Sequence, residues 1–460
     1  MLSGTPLILV FLASIAFLMI ILIKFKVSPI CSLIFASIFF GLLSGLGLTA
    51  SVNSITLGFG NTMKSLGLIL CFGTVFGEFL TKSGGMEEMA KWLLRKFGPK
   101  KDLLAIAITG FIISIPVFFG SAYIMLAPLT NKLSELTRKK ISGYTCALFT
   151  GLIITHCLVP PTPGPVAVAG ILGANIGFVI LYGLICGLIP TLLIGWLYGN
   201  KVSRTVGDVY KSDAEARADY IAELDEQHLL DRNPENPDPV QVIALVLFPA
   251  ALIMIGAICK VLLPEGGINE VIQFLGNGSI ALLIAMIVTG LLLGKYIKTD
   301  KGTLWTRIES MCDRAGNIIM IVGVGGSFGQ IITDTGMADT LVELMQRFSI
   351  PMIPLCFLLA LILRASIGSA TVAVMTSANI AGMAAVSMGY SPVIITLAVC
   401  AGAVGLALPT DGGFWIAVRG NNIDMKCALQ AITIPTTIAS LIALGVVFIL
   451  NSLGGVLPGI

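Results

Sequence analysis

Apolar runs long enough to cross a lipid bilayer recur along the whole chain, separated by short polar stretches. A transmembrane helix needs about 20 predominantly apolar residues to cross ~30 Å of hydrocarbon. The pattern predicts ten spans, at about 5–23, 28–48, 62–81, 141–174, 176–198, 239–263, 277–295, 315–334, 391–418 and 429–451. The first run lacks a basic leading segment and a second run follows Lys24 and Lys26, so we interpret it as a span and not as a cleavable signal.

Two further apolar stretches carry a break near their centre. Residues 102–131 are interrupted at 115–121, and residues 351–386 are interrupted at 364–369. Each arm of the first stretch has about 13 residues, which is too short to cross a bilayer alone, and the second stretch repeats this shape. Basic clusters also flank both ends of the first stretch, which places both of its ends on one side. We therefore predict two re-entrant hairpins, with the second entering from outside.

The distribution of Lys and Arg predicts the orientation of the spans, because these residues are enriched in cytoplasmic loops. One membrane topology places all six basic clusters on the cytoplasmic side, and in that topology both termini lie outside. The clusters begin at Lys24, Lys91, Lys132, Lys201, Lys295 and Arg419. The mostly acidic stretch 200–238 then becomes a cytoplasmic connector between residues 1–199 and residues 239–460.

An internal repeat relates these two halves. Gly120-Ser121-Ala122 recurs as Gly368-Ser369-Ala370, and Pro161-Thr162-Pro163-Gly164 recurs as Pro409-Thr410-Asp411-Gly412. The serine precedes the first proline by 40 residues in both copies. The charges place the copies in opposite orientations. The predicted fold is an all-α polytopic membrane protein with two inverted-topology repeats, each of about five spans and one re-entrant hairpin, with broken helices at the midplane.

Composition excludes several classes of protein. The chain is 56% hydrophobic and only 12% charged, whereas soluble domains carry about 25% charged residues. The net charge of +3 comes from short clusters between apolar runs, so we expect no nucleic-acid partner. Ten scattered cysteines without a CxxC pair indicate free thiols and predict no metal site. Neither an HExxH motif nor paired intramembrane aspartates is present, so we expect no enzyme and no cofactor.

The predicted solute site lies at the hairpin tips and at the two Pro-Thr breaks. Irregular backbone at membrane depth is tolerated where it lines a cavity, and its amides and carbonyls can then bind a solute. The predicted solute-binding residues are Gly120, Ser121, Pro161, Thr162, Gly164, Arg364, Ser366, Gly368, Ser369, Thr371, Thr410 and Gly412. The alternative interpretation is that the Pro-Gly kinks only shape the helices.

Three ionisable side chains lie in or near these breaks. Arg364 either holds a substrate carboxylate through its guanidinium fork or pairs structurally with a carboxylate or helix-end carbonyls. Asp411 either binds a coupling proton or cation or caps the following half-helix. His156, the one histidine in a predicted span, is either a proton relay or a hydrogen-bonded structural residue.

At these residues the sequence resembles the gluconate:proton symporter (GntP) family of the ion transporter superfamily. The resemblance covers nearly the whole chain and is carried by Ser83-Gly84-Gly85, His156 with the segment 160–165, and the Arg364-to-Ala373 segment RASIGSATVA. Asp411-Gly412-Gly413-Phe414-Trp415 is similar to the Asp-x-Gly-Phe-Trp segment of the family.

The resemblance implies proton-driven uptake of a small organic anion, such as gluconate, another sugar acid, or a related small hydroxy or amino acid, across a bacterial cytoplasmic (inner) membrane. It also implies a homodimer whose hairpins and broken helices belong to a moving transport domain. Many members carry His in place of Thr162, and His-Val-Asn in place of Leu408-Pro409-Thr410. The alternatives are therefore a sodium-coupled carboxylate carrier or an inorganic ion exchanger.

Overall fold

The computed structural model describes residues 2–25, 27–209, 231–263, 266–297, 302–337, 340 and 351–460. Within these ranges the chain is helical and contains no β-strand. The helices before the connector are α1 Gly4–Ile23, α2 Pro29–Leu43, α3 Leu48–Lys82, α4 Gly85–Phe97, α5 Asp102–Ile113, α6 Phe119–Thr137, α7 Ile141–Leu158, α8 Pro163–Leu172 and α9 Ile176–Thr205. Those after it are α10 Pro239–Leu262, α11 Ile268–Leu275, α12 Gly278–Leu293, α13 Leu304–Asp334, α14 Met352–Ile367, α15 Ala370–Ser387, α16 Pro392–Val404, α17 Gly412–Gly420 and α18 Met425–Ser452.

The helices lie close to the positions of the predicted spans, but fewer of them than predicted are long enough to cross a membrane. Six helical stretches among the described residues are long and apolar enough to cross a membrane, and α3 makes a seventh if its two parts, bent by 51°, form one span. The apolar parts of α1, α2 and α16 are shorter than a full span. α3 begins at Leu48 instead of residue 62, because the polar segment before the predicted span is also helical.

The two longest helices, α3 and α13, pack against each other in antiparallel fashion. Near one end of the contact, Ser54 Oγ donates a hydrogen bond of 2.6 Å to Asp334 Oδ2. Near the other end, the Sγ atoms of the free cysteines Cys71 and Cys312 lie 3.6 Å apart. The residue number rises along α3 while it falls along α13, so the two helices run in opposite directions.

The first broken stretch is a helical hairpin whose ends lie side by side. Lys139, two residues beyond α6, places its Nζ 2.5 Å from Asp102 Oδ1 at the start of α5. Asp102 is buried, and Tyr144 Oη donates to its second oxygen. α5 has 12 residues, which corresponds to about 18 Å at 1.5 Å per residue and is shorter than the bilayer core.

The breaks in both hairpins are narrower than predicted. The first covers residues 114–118, so Gly120 and Ser121 lie in the first turn of α6 and not in an unwound tip. The second consists of Gly368 and Ser369, so Arg364 lies in the last turn of α14. The helices continue up to the residues that end them, because Pro116 and Gly368 disrupt only the turn in which they lie. Gly368 does so through its left-handed backbone conformation.

The second arms of both hairpins are long helices. α6 extends through its polar end to Thr137 and has 19 residues. α15 passes through a π-helical segment, Ala378–Gly382, and is by itself long enough to span. The prediction of about 13 residues was wrong for α6, because this helix continues beyond the apolar run from which its length was estimated.

The two halves present the same order of elements. In each half, a long helix is followed by a broken hairpin, a helix, a short half-helix and a long helix with a π-helical segment. α6 of the first half packs against α17 of the second, and α15 of the second packs against α8 of the first. Gly84 and Gly336, which follow α3 and α13, have φ angles of +75° and +70°.

Candidate functional site

The tip of the second hairpin lies directly against the second helix break. Gly368 has a φ of +77°, and a Cβ atom placed on it would lie 2.0 Å from the carbonyl oxygen of Thr410. Glycine is required here for both reasons. Thr410 Oγ1 donates a 2.8 Å hydrogen bond to the carbonyl of Ala365, so the hairpin tip and the break form one local unit.

A buried ion pair lies at this junction. Arg364, only 2% exposed, contacts Asp411 Oδ2 through Nη2 and the carbonyl oxygen of Gly368 through Nη1. Asp411 Oδ1 accepts a 2.8 Å hydrogen bond from the backbone N–H of Gly413 and so caps α17. Both carboxylate oxygens are therefore occupied, one by the arginine and one by the helix cap. The pair joins α14 to the start of α17.

In the second break, side chains donate hydrogen bonds to backbone carbonyls that the interrupted helix leaves without helical partners. Thr433 Oγ1 donates to the carbonyl of Ala407 at 2.6 Å, and Trp415 Nε1 donates to the carbonyl of Pro409 at 2.8 Å. Leu406 has a φ of +47°, which is strained for a branched residue. Fewer carbonyls are free for a solute than the sequence suggested.

The first hairpin and the first break face α3. A small cavity there is lined by α3 residues and by segments 116–118 and 161–163. A Cβ atom on Gly77 would lie 2.3 Å from the carbonyl oxygen of Pro116, so the tip approaches α3 closely. Thr162 is buried and donates to the carbonyl of Val159 at 2.7 Å.

Contacts between the halves connect the hairpin helices α6 and α15 with the half-helices α17 and α8. A Cβ atom on Gly164 in the first turn of α8 would lie 3.4 Å from Val374 Cγ2 in α15. A Cβ atom on Gly413 in α17 would lie 2.7 Å from Phe119 Cε1 in α6. The half-helix that follows each break therefore packs against the hairpin of the other half.

The predicted site residues differ in accessibility. The exposed ones are Ser121, Thr410 and Gly412; the partly buried ones are Gly120, Pro161, Ser369 and Thr371; the buried ones are Thr162, Gly164, Arg364, Gly368 and Asp411. The side chain of Ser366 lies outside the part that the structure describes. The cavity at the first break contains Thr162 but not Ser121, Ser369 or Thr410.

His156 lies beside the first hairpin tip. Its ring centroid is 6.2 Å from that of Phe118 in an edge-on arrangement. Its Nδ1 atom is buried and has no hydrogen-bond partner among the described residues. His156 is also close enough to Arg364 for an electrostatic interaction.

An asparagine cluster, which was not among the predicted site residues, joins α6 to the end of α17. Asn421, fully buried, accepts a hydrogen bond from Tyr123 Oη and donates to Asn131 Oδ1 at 2.6 Å. The internal repeat contained a signal for it, since Asn131 and Asn379 have the same separation as Ser121 and Ser369. Asn379 binds differently: its Nδ2 donates to the carbonyl of Gly325 in α13 at 3.1 Å.

Interrupted helices that meet around a buried ion pair, within a chain rich in membrane-length helices, define a multi-pass membrane transporter. Comparison with known proteins gives the particular family. The chain belongs to the GntP family of permeases, whose family model matches residues 5–453. The resemblance found in the sequence is thus confirmed, and the relatives are permeases and not enzymes.

Curated bacterial relatives align over almost their full length. The D-serine transporter DsdX of Escherichia coli O6:H1 is 33% identical over 442 residues, covering 96% of this chain and 97% of that protein. A gluconate permease of Pseudomonas aeruginosa is 32% identical, covering 95% and 96%. The L-idonate transporter of the Escherichia coli K12 Gnt-II system is 30% identical, covering 97% and 99%. The protein is therefore an organic-acid or amino-acid transporter with multiple passes through a bacterial inner membrane.

Two solved structures share the fold at low sequence identity. The YdaH transporter of Alcanivorax borkumensis superposes with a TM-score of 0.59 at 16% identity, covering 89% of this chain and 90% of that one. MtrF of Neisseria gonorrhoeae superposes with a TM-score of 0.62 at 15% identity, covering 90% and 85%.

Proposed function

We propose that the protein is a proton symporter for a small hydroxylated carboxylate such as gluconate, another sugar acid or a hydroxy acid. Gluconate, L-idonate and D-serine, the compounds named for relatives, each carry a carboxylate and at least one hydroxyl group. The observation that supports this function best is the buried Arg364–Asp411 pair beside exposed residues of the second break. The pair offers the Arg364 guanidinium to a solute carboxylate and the Asp411 carboxylate to a proton.

We also propose that the two halves are inverted repeats and that both hairpins are re-entrant. Three observations support the repeats: the common order of elements, the antiparallel pairing of α3 with α13, and the packing of each hairpin against the half-helix of the other half. The adjacent ends of α5 and α6, with α5 too short to span, support the first re-entrant hairpin. The homodimer stays a prediction from the family resemblance.

Uptake into proteoliposomes tests this function. Radiolabelled gluconate should accumulate inside vesicles when the lumen is alkaline relative to the bath, and it should only equilibrate without a gradient. A second set of vesicles at equal pH carries an inward sodium gradient. Accumulation in that set alone would favour a sodium-coupled carrier, and no uptake of any hydroxy acid in either set would contradict the proposed function.

A further inference from the structure

The ion pair raises a problem of charge for an anionic solute. Arg364 uses two of its three nitrogens on Asp411 and on the Gly368 carbonyl, so its charge is balanced before any solute arrives. Its third nitrogen, Nε, is buried and without a hydrogen-bond partner among the described residues. A monoanion that entered while Asp411 stayed ionised would leave an excess negative charge in a buried site, which is strongly unfavourable.

The surroundings offer little other charge. His156 and Cys157 of α7 are the titratable groups that interact electrostatically with the pair. The elements packed around it also carry Tyr123, Lys132 and Glu135 on α6, Tyr144 and Cys146 on α7, Cys356 on α14, Cys400 on α16, the exposed Arg419 on α17, and Lys426 and Cys427 at the start of α18. The described parts of α1, α8, α15 and α16 contain no Lys, Arg, Asp or Glu. Asp411 and Arg364 therefore dominate the electrostatics at the second break.

We propose that the solute carboxylate replaces Asp411 on Arg364 and that the released Asp411 takes up one proton. The contact between Arg364 Nη2 and Asp411 Oδ2 breaks, a contact between Nη2 and a carboxylate oxygen of the solute forms, and a proton from the aqueous phase binds Oδ2. The site gains one negative and one positive charge, so its net charge does not change. Return of Asp411 to Arg364 releases the proton and displaces the solute.

The geometry at the break permits this exchange. Asp411 is 7% exposed, but both of its neighbours in sequence, Thr410 and Gly412, are exposed. A solute that reaches the break therefore meets the aspartate side of the pair. Oδ1 stays on the Gly413 N–H throughout, so the aspartate can change partners without uncapping α17. An unpaired, buried carboxylate favours its protonated form, which links solute binding to proton uptake.

This inference rests on the proposed function and names the mechanism of its coupling. The first test adds gluconate to purified wild-type protein in weakly buffered detergent solution with a pH-indicator dye. The exchange predicts uptake of about one proton per bound anion, and therefore gluconate binding that weakens as the pH rises, by up to roughly tenfold per pH unit. Gluconamide, which has no carboxylate, should cause no proton uptake.

The Asp411→Asn variant sharpens the test. An asparagine oxygen can still cap Gly413, but the amide neither competes as an anion for Arg364 nor binds a proton. Gluconate binding should then lose its pH dependence and its proton uptake. In proteoliposomes, exchange of internal for external gluconate should persist, and accumulation driven by a pH gradient should fall at least tenfold.

Asp424→Asn is the matched control. Asp424 also caps a helix in the same half, accepting from the Cys427 N–H at 2.6 Å, and it is exposed. This variant should behave as wild type. Two results would contradict the exchange and leave the proposed function standing. One is proton uptake by Asp411→Asn equal to that of wild type; the other is a wild-type affinity for gluconate that stays constant as the pH changes. Failure of wild type to bind any hydroxy acid would contradict the proposed function itself.

Discussion

At the scale of single residues, the sequence shows that Arg364 and Asp411 are unusual but not that they form a pair. A charge within an apolar run is costly and therefore conspicuous. The partners are 47 positions apart, and the alternatives for each residue were equally compatible with the sequence. In the structure Arg364 pairs with a carboxylate and a helix-end carbonyl, and Asp411 caps α17; these contacts are compatible with both alternatives for each residue. Their transport roles stay predictions.

Removing one member of this pair should be worse than removing both. Arg364→Met leaves Asp411 buried without its counter-ion, and breaking such pairs costs about 3–5 kcal/mol. The double variant Arg364→Met with Asp411→Asn should recover most of that loss, because no charge is left unpaired. Thermal unfolding of the purified variants in one detergent gives the comparison. A single variant as stable as wild type would show that the pair contributes little to the fold.

At the scale of elements, proline and glycine predict where helices break but not how far each break extends. Pro161, Pro163 and Gly368 were correctly placed in or beside breaks. Ser121 was placed in an unwound tip, but it lies in the first turn of α6, because helix formation resumes immediately after Pro116 and its neighbours. Contacts such as that of Gly368 with Thr410 depend on packing between distant segments, which local sequence does not encode.

Gly368→Ala should separate the second hairpin tip from the second break. The new methyl group would meet the Thr410 carbonyl oxygen at 2.0 Å, in addition to the cost of a positive φ. Gly389→Ala is the control, since Gly389 has a φ of +89° and no atom within 4 Å of its Cβ position. We expect gluconate uptake to fall at least tenfold in the first variant and less than twofold in the second. Equal uptake in both variants would show that the close contact is dispensable.

At the scale of the whole molecule, the repeated serine and Pro-Thr motifs predict a chain organised in two halves. They do not predict that the half-helix after each break packs on the hairpin of the other half, because that requires knowing how the halves interlock. They also do not predict that α3 extends back to Leu48 to pack along α13. The connector prediction falls largely on residues 210–230, outside the described residues; its end contacts α4 through Asn236 Nδ2, 3.1 Å from Glu88 Oε1.

Disulfide cross-links can test whether α3 and α13 form a static frame along which the hairpins move. Oxidation should link Cys71 to Cys312, whose sulfurs are 3.6 Å apart, and should leave gluconate uptake nearly unchanged. Cysteines introduced as Gly329→Cys and Asn379→Cys join α13 to α15, where a Cβ atom on Gly329 would lie 2.2 Å from Asn379 Oδ1. That link should abolish uptake until it is reduced. Unchanged uptake with the second link would contradict sliding of α15 along α13.

Simultaneous measurement of gluconate and proton flux tests the central claim most directly. Proteoliposomes that contain a pH-sensitive dye and a weak buffer receive labelled gluconate from outside at equal initial pH. Proton symport predicts that the lumen acidifies by about one proton for each gluconate that enters, and that the acidification disappears in Asp411→Asn. Gluconate entry without acidification in the wild-type protein, or entry only when sodium is present, would contradict the account.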